Sequence, residues 1–151
     1  MKAISVRQPF AEAINGRDKT IELRTWRTDY RGKLLICSSK SGQKTWLQFG
    51  NEYKLCPMGA TICVVNLVDC RPATKADAEQ AWCEPEDIQE GMWAWVLEDA
   101  TDVVPVKIKG KLNFFDVDDD LIKPCGDTFY DEFYEKGTPN FERDWFFQMQ
   151  S

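Results

Sequence analysis

Apolar and polar residues alternate in several short stretches of the chain, and this period of two is typical of β-strands with one buried face. The alternation directs one set of apolar side chains toward the core: Ile4, Val6, Ile21, Leu23 and Leu35. The predicted strands are Ala3–Arg7, Thr20–Trp26, Lys33–Ser38, Ala60–Cys70, Met92–Leu97, Val103–Lys109 and Lys111–Val117. We expect an acidic turn, Glu98–Asp102, between the fifth and the sixth of these strands.

Helix signals lie between and after the strands. Pro9 suits the first turn of a helix and Gly16 its end, which predicts a helix at Pro9–Asn15. Thr74 followed by Asp77 in a capping-box position predicts a second helix, through about Trp82. Further helices are predicted at Gln43–Gly50, Tyr130–Lys136 and Phe141–Gln148. Short strands with a few interspersed helices predict a mixed α+β domain around a small β-barrel.

The composition fits one cytoplasmic domain. The chain has 151 residues, of which 43% are apolar and 29% are charged. No apolar run approaches the roughly 20 residues that span a bilayer, and the N-terminal stretch lacks the pattern of a signal peptide, so no membrane partner is expected. Six cysteines without a C-x-x-C pair, and no histidine, argue against a zinc site. We expect reduced thiols, no metal and no cofactor.

The absence of histidine also limits the chemistry that the chain could perform. It excludes Ser-His and Cys-His nucleophile pairs and any histidine acting as general base. Catalysis would have to use Lys, Asp, Glu, Tyr, Thr, Ser, Cys or a bound metal.

Charge is divided unevenly along the chain. Residues 1–54 carry 11 Lys/Arg and 5 Asp/Glu, a balance of +6, whereas residues 55–151 carry a balance of −12. Because fields of exposed charges fade within about 10 Å at ordinary salt, a basic N-terminal region could attract phosphate despite the net charge of −6. The alternative is a set of scattered, solvated charges. The acidic, aromatic segment 116–134 could be a solvated cap, could cover the basic region, or could bind a protein partner.

Several short blocks, in a characteristic order, resemble the ASCH (activating signal cointegrator homology) domain family. The blocks are Ser5-Val6-Arg7-Gln8-Pro9-Phe10-Ala11, Lys19-Thr20-Ile21-Glu22-Leu23-Arg24, Tyr30-Arg31-Gly32, Leu35-Ile36-Cys37-Ser38-Ser39-Lys40, Pro105-Val106-Lys107, Gly110-Lys111-Leu112 and Phe114-Phe115. The resemblance implies a PUA-like small β-barrel with flanking helices, and a cleft between the first helix and the K-x-x-E-x-R block. We therefore expect an ASCH domain at 1–117 and, packed on it, a helical, acidic C-terminal extension at 118–151.

The same resemblance implies functions. Members of the family are associated with RNA binding or RNA-linked processing, some bacterial members are amidohydrolases of acetylated cytidine nucleosides, and others are described as ribonucleases. The amidohydrolase pattern uses a lysine and a threonine three residues later. Lys19 matches that lysine, but Glu22 stands at the threonine position, so the nucleophile of those members is missing.

The candidate binding residues are Arg7, Gln8, Lys19, Glu22, Arg24, Trp26, Ser39 and Lys40. Glu22 and Arg24 are two residues apart in a predicted strand and so point the same way. Arg24 could offer its planar fork to phosphate, and Glu22 could accept from a base or activate water, unless the two form only a surface ion pair. Lys19 could bind phosphate or act as a base, and Trp26 could stack on a base or pack in the core.

The remaining candidates flank this strand. Arg7 and Gln8 precede the first predicted helix, whose free N–H groups attract anions, and Ser39 and Lys40 follow the third predicted strand. We expect all of them to converge on one concave site. Three functions stay open: a reader of RNA or of a nucleotide, a small hydrolase of a modified nucleoside or of RNA with Lys19 and Glu22 as acid/base pair, and a protein-interaction module.

Overall fold

The computed structural model describes residues 1–125 and 133–149, and these are mostly β-structure. The strands are β1 Lys2–Gln8, β2 Ile21–Arg24, β3 Gly32–Gly42, β4 Thr45–Phe49, β5 Glu52–Leu55, β6 Thr61–Pro72, β7 Trp93–Asp102, β8 Phe115–Asp116, β9 Glu135–Lys136 and β10 Trp145–Gln148. One helix, α1 at Phe10–Asn15, and three single-turn 3-10 helices at Lys75–Asp77, Pro85–Asp87 and Asp119–Leu121 complete the named elements. No helix in these ranges is long and apolar enough to cross a bilayer.

The strands form two sheets. The larger sheet has the order β2-β7-β6-β3-β1-β8, and the smaller has the order β10-β4-β5-β9. β1 runs parallel to β3 and β10 parallel to β4, while the other pairs are antiparallel. The smaller sheet joins strands from the first half of the chain to strands from its last 17 residues.

The predicted barrel is wrong, because neither sheet closes on itself within the described ranges. Two predicted strands were expected to close the barrel. Val103–Lys109 forms only isolated bridges, and Lys111–Val117 contains only the two residues of β8. Pro105, which has no N–H, interrupts the first of them. A side chain spans part of the gap instead: Arg24 on the edge strand β2 donates from Nη2 to the Ser5 carbonyl oxygen on β1, at 2.8 Å.

The core lies on both faces of β3. Leu34 and Ile36 pack with Ile4 and Ile14 on one face, and Leu35 packs with Val103 and its neighbours on the other. A strand covered on both sides reads as an unbroken apolar run rather than as an alternation. That is why residues 34–37 are all buried. Two cysteines within such runs, Cys37 and Cys63, are buried free thiols.

Three predicted helices are wrong within the described ranges. Gln43–Gly50 forms β4, and Thr74–Trp82 keeps its capping box but is helical only over the 3-10 turn Lys75–Asp77. Phe141–Gln148 ends in β10, whose aromatic residues pair along β4; such residues favour strands when a partner is present. The helical C-terminal extension is therefore not found in these ranges. The first three residues of the predicted helix Tyr130–Lys136 lie outside the described residues, and its last two form β9.

The predicted acidic turn at 98–102 is also wrong. β7 continues through Asp102 and pairs with β6 along most of its length. Acidic residues are tolerated on this stretch because Glu98 and Asp99 are both exposed, and Asp99, with a φ of +56°, lies where the register between β6 and β7 shifts.

Candidate functional site: a cleft between β1 and β2

A cleft of about 570 Å³ opens where β2 approaches β1 across the unclosed edge of the larger sheet. We call it the β2 cleft. Six of its lining residues are polar or aromatic side chains with candidate binding chemistry: Arg7, Glu22, Arg24, Trp26, Ser39 and Lys111. The cleft thus brings together five of the eight candidates from the sequence and adds one from a distant loop.

Lys19 forms the buried support of the cleft. Its side chain is almost fully enclosed, at 4% exposure, and Nζ donates to the carbonyl oxygens of Ile21 and Ala81, each at 2.7 Å. Nζ also lies 3.3 Å from Glu22 Oε1. An ammonium group has three protons to donate, and three acceptors surround this one. Lys19 therefore anchors β2 to the segment before Trp82 and does not line the cleft.

Glu22 and Arg24 form the wall above that support. They follow each other at alternate positions of β2, opposite Trp95 and Trp93 of β7. Arg24 Nη2 is 2.9 Å from Glu22 Oε2, and Nε donates to the same oxygen at 3.1 Å. With Nη2 also bonded to the Ser5 carbonyl, Nη1 is the guanidinium nitrogen that has no hydrogen-bond partner among the described residues.

The other two cations that line the cleft are Arg7 and Lys111. Arg7 sits at an exposed position near the end of β1, and Lys111 is exposed on the opposite rim. Neither makes a hydrogen bond or an ion pair with any part of the chain that the structure describes. Ser39, on β3 between them, donates from Oγ to the Ser41 carbonyl oxygen at 2.5 Å. Two exposed cations and a guanidinium edge therefore face one concave surface.

Besides Lys19, two further candidates from the sequence do not line the cleft. Gln8 is buried, donates from Nε2 to the Pro57 carbonyl oxygen and accepts the Glu12 amide at Oε1. Gln8 therefore uses the Glu12 N–H, one of the free N–H groups at the start of α1 that we expected to attract an anion. The Lys40 side chain lies over Gly59, so close that a Cβ at Gly59 would be 3.0 Å from Lys40 Cγ.

Trp26 combines the two roles that the sequence left open. Its ring makes edge-to-face contacts with Trp95, at 4.7 Å between centroids, and with Phe114, at 5.2 Å. It is only partly buried and lines the cleft with its remaining surface. The ring is fixed by core packing, which makes it a rigid wall for a planar ligand.

The loop 110–113 is the part of the cleft that sequence reasoning missed as a binding element. Gly110 passes so close to β1 that a Cβ there would lie 2.4 Å from Ser5 Oγ. The missing side chain lets Lys111 and Asn113 reach the cleft rim. In the sequence, Gly110 followed by a lysine is the one signal that could have indicated this binding element. The proximity of Gly110 to Ser5 is visible only in the tertiary fold.

A second buried carboxyl lies away from the cleft and was not a candidate from the sequence. Glu12 on α1 accepts from the Tyr134 hydroxyl at 2.7 Å and from Asn15 Nδ2 at 3.1 Å. Burial raises the pKa of Glu12 to about 7, and the hydrogen bond from Tyr134 lowers it in part. Burial likewise raises the pKa of Asp102. Across the described ranges, no three Cys, Asp or Glu side chains cluster closely enough to hold a metal ion.

Comparisons with known proteins agree on one family. The family model for the ASCH domain matches residues 4–109. Among solved structures, the chain is similar to an ASCH protein from Zymomonas mobilis, with a TM-score of 0.53 and 18% identity, covering 71% of this chain and 73% of that one. A mutant of the same Zymomonas protein gives a TM-score of 0.51 at 18% identity, covering 71% and 75%. The search of curated proteins found no match. Since the family model spans well over half of the chain, this protein belongs to the ASCH domain family.

Proposed function

We propose that the β2 cleft binds a nucleotide, either free or as a unit of single-stranded RNA. The observation that carries the proposal is a set of cationic groups beside the fixed ring of Trp26. These groups, Arg7, Lys111 and Arg24 Nη1, have no hydrogen-bond partner within residues 1–125 and 133–149. Phosphate needs cations, and a base needs a rigid face on which to stack. RNA binding is general to the ASCH family, which supports the same assignment.

The role that we assign to each side chain follows from whether its donors already make hydrogen bonds within the protein. Arg7 and Lys111 attract the phosphate, since their donors are not used elsewhere in the described ranges. Arg24 adds Nη1 from a guanidinium already held by Glu22 and Ser5, so little side-chain freedom is lost when it binds. Glu22 orients Arg24, and Lys19 supports Glu22 from below. Affinity should fall as salt rises, because phosphate binding releases counterions.

The alternative function is a hydrolase with Lys19 and Glu22 as acid/base pair. Its support is that Glu22 lines the cleft while its carboxylate is largely buried. Against it, Lys19 is almost fully enclosed and its three N–H positions are directed at the Ile21 and Ala81 carbonyl oxygens and at Glu22, so its amine has no face turned toward a ligand in the cleft. We therefore rank binding first.

The test is a titration of labelled single-stranded RNA, followed by fluorescence anisotropy at several salt concentrations. We expect Arg24→Ala to weaken binding by roughly 1–3 kcal/mol, and Arg7→Ala and Lys111→Ala to weaken it and to flatten the salt dependence. Lys123→Ala, which removes an exposed lysine that does not line the cleft, is the matched control. Unchanged binding in all three cleft variants would rule out the proposal.

Glu22→Gln separates the two functions. In a binding protein the amide still accepts from Arg24 through its oxygen, so affinity should change little once folding is verified. In a hydrolase that uses Glu22 as general base, turnover should disappear while binding persists. Detectable turnover that Glu22→Gln abolishes would reverse our ranking.

A further inference from the structure

A second cavity adjoins the β2 cleft on the other side of Phe10. It has a volume of about 690 Å³, which is ample for a nucleoside. Its aromatic walls are Phe10, Trp82 and Trp145, and we call it the tryptophan cavity. Arg7 and Phe10 line both this cavity and the β2 cleft, so the two spaces meet at these residues.

The rings of the tryptophan cavity are organised around Trp82. The Trp82 ring stacks on Phe147 at 5.5 Å between centroids and 17° between planes. Trp145 and Phe10 stand nearly perpendicular to it, at 5.5 Å and 5.7 Å. Phe10 and Trp145 nevertheless remain 39% and 38% exposed, although large apolar rings gain stability by burial. They thus offer stacking surface that the core does not use.

The backbone conformation of Trp82 is a second, independent indication of a binding site. Its φ of +60° lies in the left-handed region, which costs a residue with a Cβ about 1 kcal/mol or more. Strained conformations of this kind cluster at binding sites, where they aim a side chain. Here the strained residue is the one on which the other three rings converge.

The rim of the tryptophan cavity is acidic. Glu79, Glu84 and Asp87 line it, and Arg7 is the single cation among its lining residues in the described ranges. All three are exposed, and Asp87 accepts a hydrogen bond from the Glu84 backbone N–H at 3.0 Å. Carboxylates repel phosphate but accept hydrogen bonds from amino groups on base edges. The cavity is therefore suited to a base and unsuited to its phosphate.

We propose that the tryptophan cavity is a second base site, and that the protein binds two consecutive nucleotides of a single strand. This inference rests on the nucleotide role proposed for the β2 cleft. One nucleotide occupies that cleft, the linking phosphate crosses at Arg7, and the next base stacks among the tryptophan rings. Glu79 and Glu84 then favour an amino-bearing base over uracil, because uracil turns two carbonyl oxygens toward any carboxylate that approaches its N3–H.

A peptide bearing a cationic side chain is the competing occupant, since rings and carboxylates also bind ammonium groups. Two features favour the base. Arg7 stands at the boundary and would repel a cation, and the cavity is continuous with the cleft that holds the phosphate-binding groups.

The test compares cytidine monophosphate with the dinucleotides CpC and UpU by isothermal titration calorimetry. Cytosine and uracil have nearly the same size, so they differ mainly in the amino group. We expect CpC to bind at least about ten-fold more tightly than the mononucleotide, from one additional stacked base. Trp145→Ala should remove that gain and leave the mononucleotide affinity unchanged. Phe141→Ala is the matched control, because it removes a 64% exposed ring outside both cavities.

A second variant does not depend on the packing of β10. Combining Glu79→Gln with Glu84→Gln at the exposed rim should reduce the preference for CpC over UpU several-fold and leave the fold intact. If CpC binds no better than the mononucleotide, or if neither variant changes dinucleotide binding, the second base site is refuted while the β2 cleft proposal stands. If Arg7→Ala, Lys111→Ala and Arg24→Ala all leave the binding of the three ligands unchanged, the cleft proposal fails as well.

The competing occupant is tested with tetramethylammonium as probe. We expect the wild-type protein not to bind it. Binding that Trp145→Ala abolishes, together with unchanged CpC affinity in that variant, would assign the cavity to a cationic ligand and overturn the inference.

Discussion

Two regions of this molecule bury a glutamate, and they hold it in opposite ways. Glu22, in the wall of the β2 cleft, lies between two cations, 3.3 Å from Lys19 Nζ and 2.9 Å from Arg24 Nη2. Glu12, inside the protein on α1, is held by the neutral Tyr134 hydroxyl and the neutral Asn15 amide. Burial is nearly complete at both sites.

The difference lies in what offsets the loss of hydration. Cations attract the carboxylate itself, so the negative charge of Glu22 is balanced by Lys19 and Arg24. Neutral donors offset only part of the cost of burying a charge, and burial therefore raises the pKa of Glu12 to about 7. One glutamate is a fixed part of a charged wall, and the other couples the stability of the fold to pH.

Removing a cation from the first region should have the largest effect. Lys19→Met leaves the Ile21 and Ala81 carbonyl oxygens without their donor and removes one of the two cations beside Glu22. We expect a loss of roughly 3–5 kcal/mol in the free energy of unfolding, measured by urea denaturation. Lys33→Met, at an exposed position of β3, should lose less than about 1 kcal/mol. Equal losses in the two variants would mean that Lys19 does not anchor the cleft.

Neutralising the second region should change the response to pH. A carboxyl whose pKa is raised from 4.5 to about 7 on folding favours the native state most below pH 4.5, and this stability is lost as pH rises to about 7. The decline amounts to about 3 kcal/mol. Glu12→Gln should remove it, apart from a residual slope from Asp102, whose pKa burial also raises.

Unfolding free energies measured in urea between pH 4 and pH 8 would show this change. Glu86→Gln, at an exposed position, should keep the wild-type profile. A Glu12→Gln protein with an unaltered slope would show that Glu12 is not the source of the decline.

The smallest expected effect on stability comes from removing one of the neutral donors that bind Glu12. Tyr134→Phe removes the hydroxyl bonded to Glu12 Oε2 at 2.7 Å and should cost about 1 kcal/mol. Because that hydrogen bond lowers the pKa of Glu12, its loss should raise the pKa further and extend the decline in stability to higher pH. Carboxyl NMR titration of Glu12 would report the shift. A lowered pKa in this variant would contradict the proposed role of the hydroxyl.

The sequence predicted local features and missed those made by distant partners. Alternation located β1 and β2, the apolar run at residues 34–37 located β3, and Pro9 with Gly16 located α1. The K-x-x-E-x-R spacing also placed Glu22 and Arg24 on one side of β2, where Glu22 has both its cationic partners within three residues. Glu12 could not be recognised in this way, since its partner Tyr134 is 122 residues away.

The same reasoning explains the wrong helices and the missed cavity. Trp46 and Leu47 point to opposite faces of β4, and both are buried: Trp46 lies against Asp144 and Gly137, and Leu47 packs with Cys56 and Tyr134. Cover on both faces erased the strand alternation. Trp82 and Trp145 come together only because β10 pairs with β4. Local patterns carry no information about such contacts, so the smaller sheet and the tryptophan cavity both required the structure.

The pairing of β10 with β4 has a consequence for the order of events during synthesis. Every strand of the larger sheet has been made once β8 is complete, so that sheet and the β2 cleft could assemble on the ribosome. The tryptophan cavity still lacks Trp145 at that stage. β10 is made after β8 and must pair with β4, which lies about a hundred residues earlier in the chain. The two halves of the proposed dinucleotide site would therefore mature separately, and a nascent chain could hold one nucleotide before it could hold two.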